Sequence, residues 1–488
     1  MRSIRPLALV ASFVTSLAAP AWAFAQDTKA GPLASPLKTV WDGKKSGWEL
    51  ANADQRKEIF AFNDGYKSYL KAARSAYFST KEVMRQAKAA GFVEFTTGSQ
   101  VKAGAKLIVN GRDRAVMLVV VGSDAIAAGL RVVGTHHDSS HLDLKARPIY
   151  VAGAVAMFNT VEYGGVKRYQ YANEPLALIG RVDTTDGKTI DVSIGMEDSD
   201  PVFVIPDNAP HSDTPLRSRT YQNVLEAEEL DPVAASIPTE GSLVATVMKE
   251  MTARYGIKEE DFVSGELHLV PARMPADVGI DRGLTGGYGQ DDRLSSYCAA
   301  RAVIDLGVTP KRTAVAYLTN HEEAGSVNNT GARSEFFNNS VGRLIAAQKG
   351  KDYTDLDLRL ALRASEVISA DTNDGVNPLF SSTSEATNAA KMGFGPSIKR
   401  YGRGFDGNSE FIARIRGILD RGSIPWQTQT PKVGVGTGGT IGQFFSEWDM
   451  EVIDMGVPLL SMHSTFEISS KVDTWNFYRF MSAFFVAP

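Results

Sequence analysis

One cysteine, Cys298, stands in a chain of 488 residues. It has no partner for an internal disulfide. On a helical face with Leu294 and Tyr297 it reads as core packing rather than as a nucleophile. Basic residues carry no surplus: 52 Lys and Arg against 56 Asp and Glu give a net charge of −4, so nothing here would draw a nucleic acid. Beyond the N-terminus no apolar run is long enough to cross a bilayer as a helix. No segment repeats and none is of low complexity. Histidine is scarce, with seven in all, so clustered histidines carry information. What remains is ordinary globular material, 43% hydrophobic and 22% charged, enough for two or three domains.

The first 25 residues differ from the rest. Arg2 and Arg5 precede an apolar stretch at 7–19, and small-x-small sites follow at 21–23 and 23–25. This pattern predicts a secretory signal peptide cleaved after Ala25, hence a periplasmic or secreted protein. An uncleaved anchor is the alternative, and the short apolar stretch weighs against it. Residues 26 to about 50 are polar with Pro and Gly, an expected extended arm.

The mature chain alternates strand and helix signals. Residues 58–91 read as helical, with a helix start at Ser79-Thr80-Lys81-Glu82. Strands are expected at 117–121, 129–133, 267–270, 314–318 and 367–370. Helices are expected at 243–255, from Asp291 to 306, at 336–349 and at 474–486. Between 150 and 240 the texture shifts to Gly, Thr and β-branched residues with alternation at 178–182 and 189–194. That predicts an α/β fold interrupted by a β-rich insertion. Residues 282–290 read as a Gly-rich loop, outside any phosphate-binding context.

Chemistry-bearing residues collect where short apolar runs end. After 129–133 comes GTHHDSSH, with His136, His137, Asp138 and His141. After 314–318 comes NHEEAGS, with Glu322 and Glu323. Asp371 follows 367–370, His463 follows a short run at 458–462, and Asp291-Asp292 open a helix. Each has an ordinary reading: solvated acids, hydrogen-bonded turn histidines, or a helix N-cap for Asp291. Together they read differently. Strand C-terminal ends converge on one edge of an α/β sheet, where ligands bind. Two histidines and three carboxylates suit two divalent ions sharing one bridging Asp. Zinc fits mixed N/O ligation, with manganese and cobalt as alternatives. The His-x-Asp spacing lets Asp138 fix the tautomer of His136. Glu322 remains as a general base for hydrolysis of a carbonyl compound.

These segments, with VEYGG, ALIGRVD, FVIPDNAPH, QDDRLSSYCAARAVID, GPSIK, GGTIG and MGVPLLSMHS, resemble the M18 aminopeptidases, the aspartyl aminopeptidase group of dinuclear metallopeptidases. The resemblance runs from about residue 58 to 485. It implies a mixed-sheet α/β/α catalytic domain, residues 26–149 and 241–488, with a β-rich dimerisation domain inserted at 150–240. It implies that His136, Asp371 and bridging Asp291 hold one metal, and that Glu323, His463 and Asp291 hold the other. Asp138 would orient His136, and Glu322 would be the base. Lys399, Gly438 and Gly439 would meet substrate. His211 would approach a neighbour's site in a homo-oligomer built from dimers, a dodecamer in many family members. The implied reaction is removal of the N-terminal residue, Asp or Glu by preference, from peptides.

The sequence departs from the family in three places. The tryptophan-containing DRDL segment reads here as 168–176 (RYQYANEPL), the His after the third ligand becomes Asp374, and the RND segment becomes Lys432-Val433-Gly434. The ligands are intact while substrate-side positions differ. A related di-metal carboxypeptidase or deacylase fits the same ligand set. A catalytically inactive periplasmic binding or assembly protein is the reading from another class.

Overall fold

The computed structural model describes residues 43–402, 404–435 and 438–488. The expected signal peptide at 1–25 and most of the expected arm at 26–50 lie outside the described residues. The fold is a mixed α/β arrangement built on a nine-stranded sheet. Its centre consists of parallel strands in the order Thr313–Thr319, Leu130–His136, Glu366–Ala370 and Glu451–Gly456. Ala115–Val120 lies antiparallel beside Thr313–Thr319 and extends the sheet on one side. Ser397–Lys399 does the same beside Glu451–Gly456 on the other.

The apolar runs are continuous because both faces of this sheet are covered. Along Thr313–Thr319, Ala314, Ala316 and Leu318 enter one core and Val315 and Tyr317 enter the other. The helices Ala76–Ala89, Gln290–Ile304 and Lys471–Val486 close the first face. Phe336–Lys349, Asp355–Arg363 and Gly442–Glu447 close the second. Cys298 is buried in the first core, its thiol donating to the Thr474 carbonyl.

Two smaller sheets complete the described residues. A six-stranded antiparallel sheet contains Leu176–Asp183 and Thr189–Ile194, where alternation was expected, and packs its own core. It extends past 150–240 at both ends, through His141–Ala152 and Gly265–Pro271. A five-stranded sheet includes Leu284–Gly287, Pro458–Leu460 and Glu467–Ser470.

Two local expectations fail. Ser79-Thr80-Lys81-Glu82 lies inside the helix Ala76–Ala89; the cap is Ser75, whose side chain accepts from the Phe78 amide. Of the residues read as a cap, Ser79 and Thr80 are instead fully buried. The 282–290 loop contains a strand, because Thr285, Gly286 and Gly287 pair with Glu467–Ser470. Gly286 permits this: a Cβ there would lie 2.2 Å from the Phe466 ring. Among the described residues no helix is long and apolar enough to cross a membrane.

Candidate metal centre

The parallel strands deliver the chemistry to one edge. His136 ends Leu130–His136 in register with Thr319, the last residue of Thr313–Thr319. Glu322 and Glu323 follow Thr319 in a short turn. His321 enters that turn at φ 61°, a left-handed conformation rare for a residue with a side chain. Asp371 follows Glu366–Ala370, and His463 sits between Pro458–Leu460 and Glu467–Ser470. Asp291 lies at the start of Gln290–Ile304 with non-helical φ/ψ, and the Asp291–Asp292 peptide is cis.

Asp291 faces both histidines. Its Oδ1 is 3.4 Å from His136 Nε2 and its Oδ2 is 3.1 Å from His463 Nε2. Asp371 Oδ1 is 3.7 Å from His136 Nε2, and Glu323 Oε1 is 3.3 Å from His463 Nε2. Two donor groups result, His136 with Asp291 and Asp371, and Asp291 with Glu323 and His463; in each, the ligand atoms lie within 4.8 Å of one another. Asp292 joins neither group. It is fully buried, and burial with the Asp371 charge pushes its carboxyl well above the usual range. Burial opposes ionisation of Asp291 too, but the facing imidazoles of His136 and His463 outweigh it and hold that carboxyl low.

Asp138 organises the approach. Its carboxylate accepts the Glu322 and Glu323 amides at 3.2 and 3.1 Å and the Tyr163 hydroxyl at 2.7 Å. Its Oδ1 is also 3.5 Å from His136 Nδ1, and that nitrogen lies 3.1 Å from the Asp138 carbonyl. On the other ring, His463 Nδ1 lies 2.9 Å from the Gly165 carbonyl. Both imidazoles therefore present Nε2 to the carboxylates. Glu322 Oε2 is 4.0 Å from His136 Nε2. Burial pushes its carboxyl up to about 8 despite His136, and Asp371, Asp138 and Asp291 push the same way.

The residues fit divalent cations. Asp291 Oδ1 and Glu323 Oε1 are buried without a hydrogen-bond partner, a costly arrangement unless something positive sits beside them. Asp291, Glu322, Glu323 and Asp371 crowd one cavity of about 560 Å³. Among the described lining residues only Lys399 is a lysine or arginine. Nitrogen and carboxylate donors together are what zinc-class ions take.

Lys399, Gly438 and Gly439 line the same cavity. Lys399 Nζ donates to the Thr372 carbonyl at 2.8 Å and lies 3.6 Å from Asp371 Oδ2. His211 is exposed on a loop and is not among the residues lining its own chain's cavity. Sequence reasoning gave no role to three groups, the buried Glu467 and Asp454 and the half-buried Tyr163. Glu467 accepts the Asp291 amide at 3.2 Å and the His463 amide at 2.7 Å, tying two of the candidate ligands together. Tyr163 reaches Asp138 from the six-stranded sheet. Asp454 accepts Thr440 Oγ at 2.8 Å on the cavity wall. Only Tyr163 left a signal, inside the VEYGG segment.

Comparison with known proteins places the whole fold in one family. The family described as aminopeptidase I zinc metalloprotease (M18) matches residues 69–485. A probable M18 family aminopeptidase 1 of Borrelia garinii is 35% identical over 91% of this chain and 99% of its own length. The crystal structure of an M18 aminopeptidase from Thermotoga maritima superposes with a TM-score of 0.86 at 36% identity, covering 90% of this chain and 98% of that one. The S. cerevisiae mApe1 dodecamer shares the fold, with a TM-score of 0.71 at 19% identity over 86% of this chain and 95% of that one. The chain belongs to the M18 family and is a metal-dependent aminopeptidase.

Proposed function

We propose that this chain removes the N-terminal residue of peptides with two metal ions, zinc by preference, in the cavity around Asp291. The observation that carries this reading is the placement of the two Asp291 oxygens, one toward each donor group. His136, Asp291 and Asp371 would hold one ion, and Asp291, Glu323 and His463 the other. Ions held there supply Lewis acidity toward the scissile carbonyl and make nearby water more acidic.

The chain's own groups do the rest. Glu322 takes a proton from the attacking water and returns it to the leaving amine. Asp138 holds the Glu322–Glu323 turn through its two amide contacts, so the base cannot drift from the histidines. Glu467 fixes Asp291 and His463 against each other through their backbones. Lys399 is the cation on the wall, and we assign to it the attraction of an acidic N-terminal side chain, Asp or Glu. Family membership weighs against a carboxypeptidase or deacylase and against an inactive binding protein.

The segment 150–240 is proposed as the dimerisation module of a homo-oligomer, a dodecamer by analogy with the mApe1 assembly. Support comes from apolar side chains it leaves exposed, among them Val151, Tyr221 and Ile237. Export with cleavage after Ala25 rests on the sequence of residues 1–25, and N-terminal sequencing of the secreted chain tests it. The reaction is tested with aminoacyl anilides carrying free or acetylated amines, assayed before and after chelation. Turnover confined to free amines and restored by zinc is expected. Equal cleavage of blocked substrates, or full activity after chelation, would contradict the reading.

A further inference from the structure

Away from that cavity, two histidines converge on a single carboxylate oxygen. His141 and Asp143 are two apart on His141–Ala152 and so share one face of the sheet. His268, on Gly265–Pro271, pairs directly opposite Asp143. Leu142 and Leu269, paired beside them, enter the core of the six-stranded sheet on the other face. His141 Nε2 is 2.8 Å and His268 Nδ1 is 2.5 Å from Asp143 Oδ1. The two rings meet edge-on with centroids 4.3 Å apart.

The contact on the far side of His141 makes this arrangement informative. Its Nδ1 lies 2.7 Å from the Ser139 carbonyl oxygen, which can only accept, so Nδ1 carries the hydrogen. In a neutral ring Nε2 is then a lone pair. A lone pair facing a carboxylate oxygen at 2.8 Å needs a cation between them. A proton is one candidate and a metal ion the other.

We propose that His141, Asp143 and His268 bind a divalent first-row ion of the zinc, nickel or copper class, additional to the metals of the catalytic cavity. Two imidazole nitrogens and one carboxylate oxygen form a suitable donor set. A carbonyl behind a histidine is the usual way such a ring is oriented toward a metal. The group borders its own cavity of about 350 Å³, which leaves room for water as a further ligand. The guanidinium groups of that cavity are engaged elsewhere. Arg114 pairs with Glu266 at 2.6 Å, and Arg74 donates to the Pro271 and Arg273 carbonyls at 2.9 Å. Binding here would brace the strand pair behind Tyr163, whose ring stacks on His141 at 4.4 Å.

The test compares metal retained per chain. Wild type, His268→Gln and Asp143→Asn are stripped with chelator, reloaded with zinc, dialysed and assayed by elemental mass spectrometry. Wild type is expected to keep one more equivalent than either variant, while the variants still hydrolyse aminoacyl substrates and so are folded. Equal retention overturns the proposal and leaves a proton between His141 and Asp143. Should a variant fail to fold, anomalous diffraction from zinc-soaked wild-type crystals decides, by a peak beside Asp143 Oδ1 or none there. Because the readout is a difference at one location, it stands apart from whether the Asp291 cavity holds two ions.

Discussion

Tyr163 donates its hydroxyl to Asp138 Oδ2 at 2.7 Å. One residue comes from the six-stranded sheet and the other from the strand end of the central sheet, so the two layers meet at the group that orients His136. Replacing Tyr163 by Phe removes one of the donors that hold the Asp138 carboxylate. Outer partners of this kind are worth about 10- to 100-fold in metal affinity or activity. Tyr163→Phe is therefore expected to lower kcat/KM by about tenfold with the fold intact. Unchanged kinetics would detach Tyr163 from the centre.

Glu322 Oε2 lies 4.0 Å from His136 Nε2, farther than the Asp291 and Asp371 oxygens at 3.4 and 3.7 Å, which suits a base rather than a ligand. Glu322→Gln should keep metal content by elemental analysis while kcat falls by about 10² to 10⁴, the usual worth of a positioned base. A matching loss of metal would make Glu322 a ligand instead.

His137 gives a pH dependence separate from the metals. It is buried, and that burial pulls its imidazole down to about 4, only partly offset by the Arg114 carbonyl. The unfolded ring titrates near 6.5, so between the two values the unfolded chain binds the extra proton. Its contribution is complete above about pH 6.5 and is lost as pH falls toward 4. The loss is on the order of 3 kcal/mol. Urea unfolding of wild type should weaken over that window, and His137→Gln should show a shallower slope. Equal slopes would assign the acid sensitivity to other groups.

Much of the site was legible because its residues sit where short buried strands stop. Ala314 to Leu318 is apolar without interruption and Val367 to Ala370 is broken only by Ser369, since both sheet faces are covered, and the polar residues that follow each run mark the active edge. Asp291 was separable from Asp292 only through likeness to a family; spacing alone leaves both at a helix start. Glu467 was not legible. It lies in a polar strand and acts on backbone amides of Asp291 and His463, a relation that exists only in space. The Ser79 segment misled because a Ser-Thr-Lys-Glu run looks like a cap whether or not a helix begins there. Leu284–Gly287 was hidden by its two glycines, which pairing with Glu467–Ser470 holds in a strand. His268 joins Asp143 across 125 positions, beyond any local pattern.

Lys399 carries the proposed taste for acidic residues. Lys399→Met should reduce kcat/KM for N-terminal Asp or Glu by about ten- to a hundredfold, the worth of a hydrogen bond to a charged group. Rates for Ala or Leu should change less. A uniform loss across a substrate panel would mean that Lys399 supports Asp371 and Thr372 rather than the substrate.

The central claim is that one aspartate serves two cations, and anomalous diffraction at the zinc edge tests it most directly. On zinc-loaded crystals the account predicts two peaks flanking Asp291, one beside His136 and Asp371 and the other beside Glu323 and His463. A single peak in that cavity, or density centred on Asp292, would contradict it.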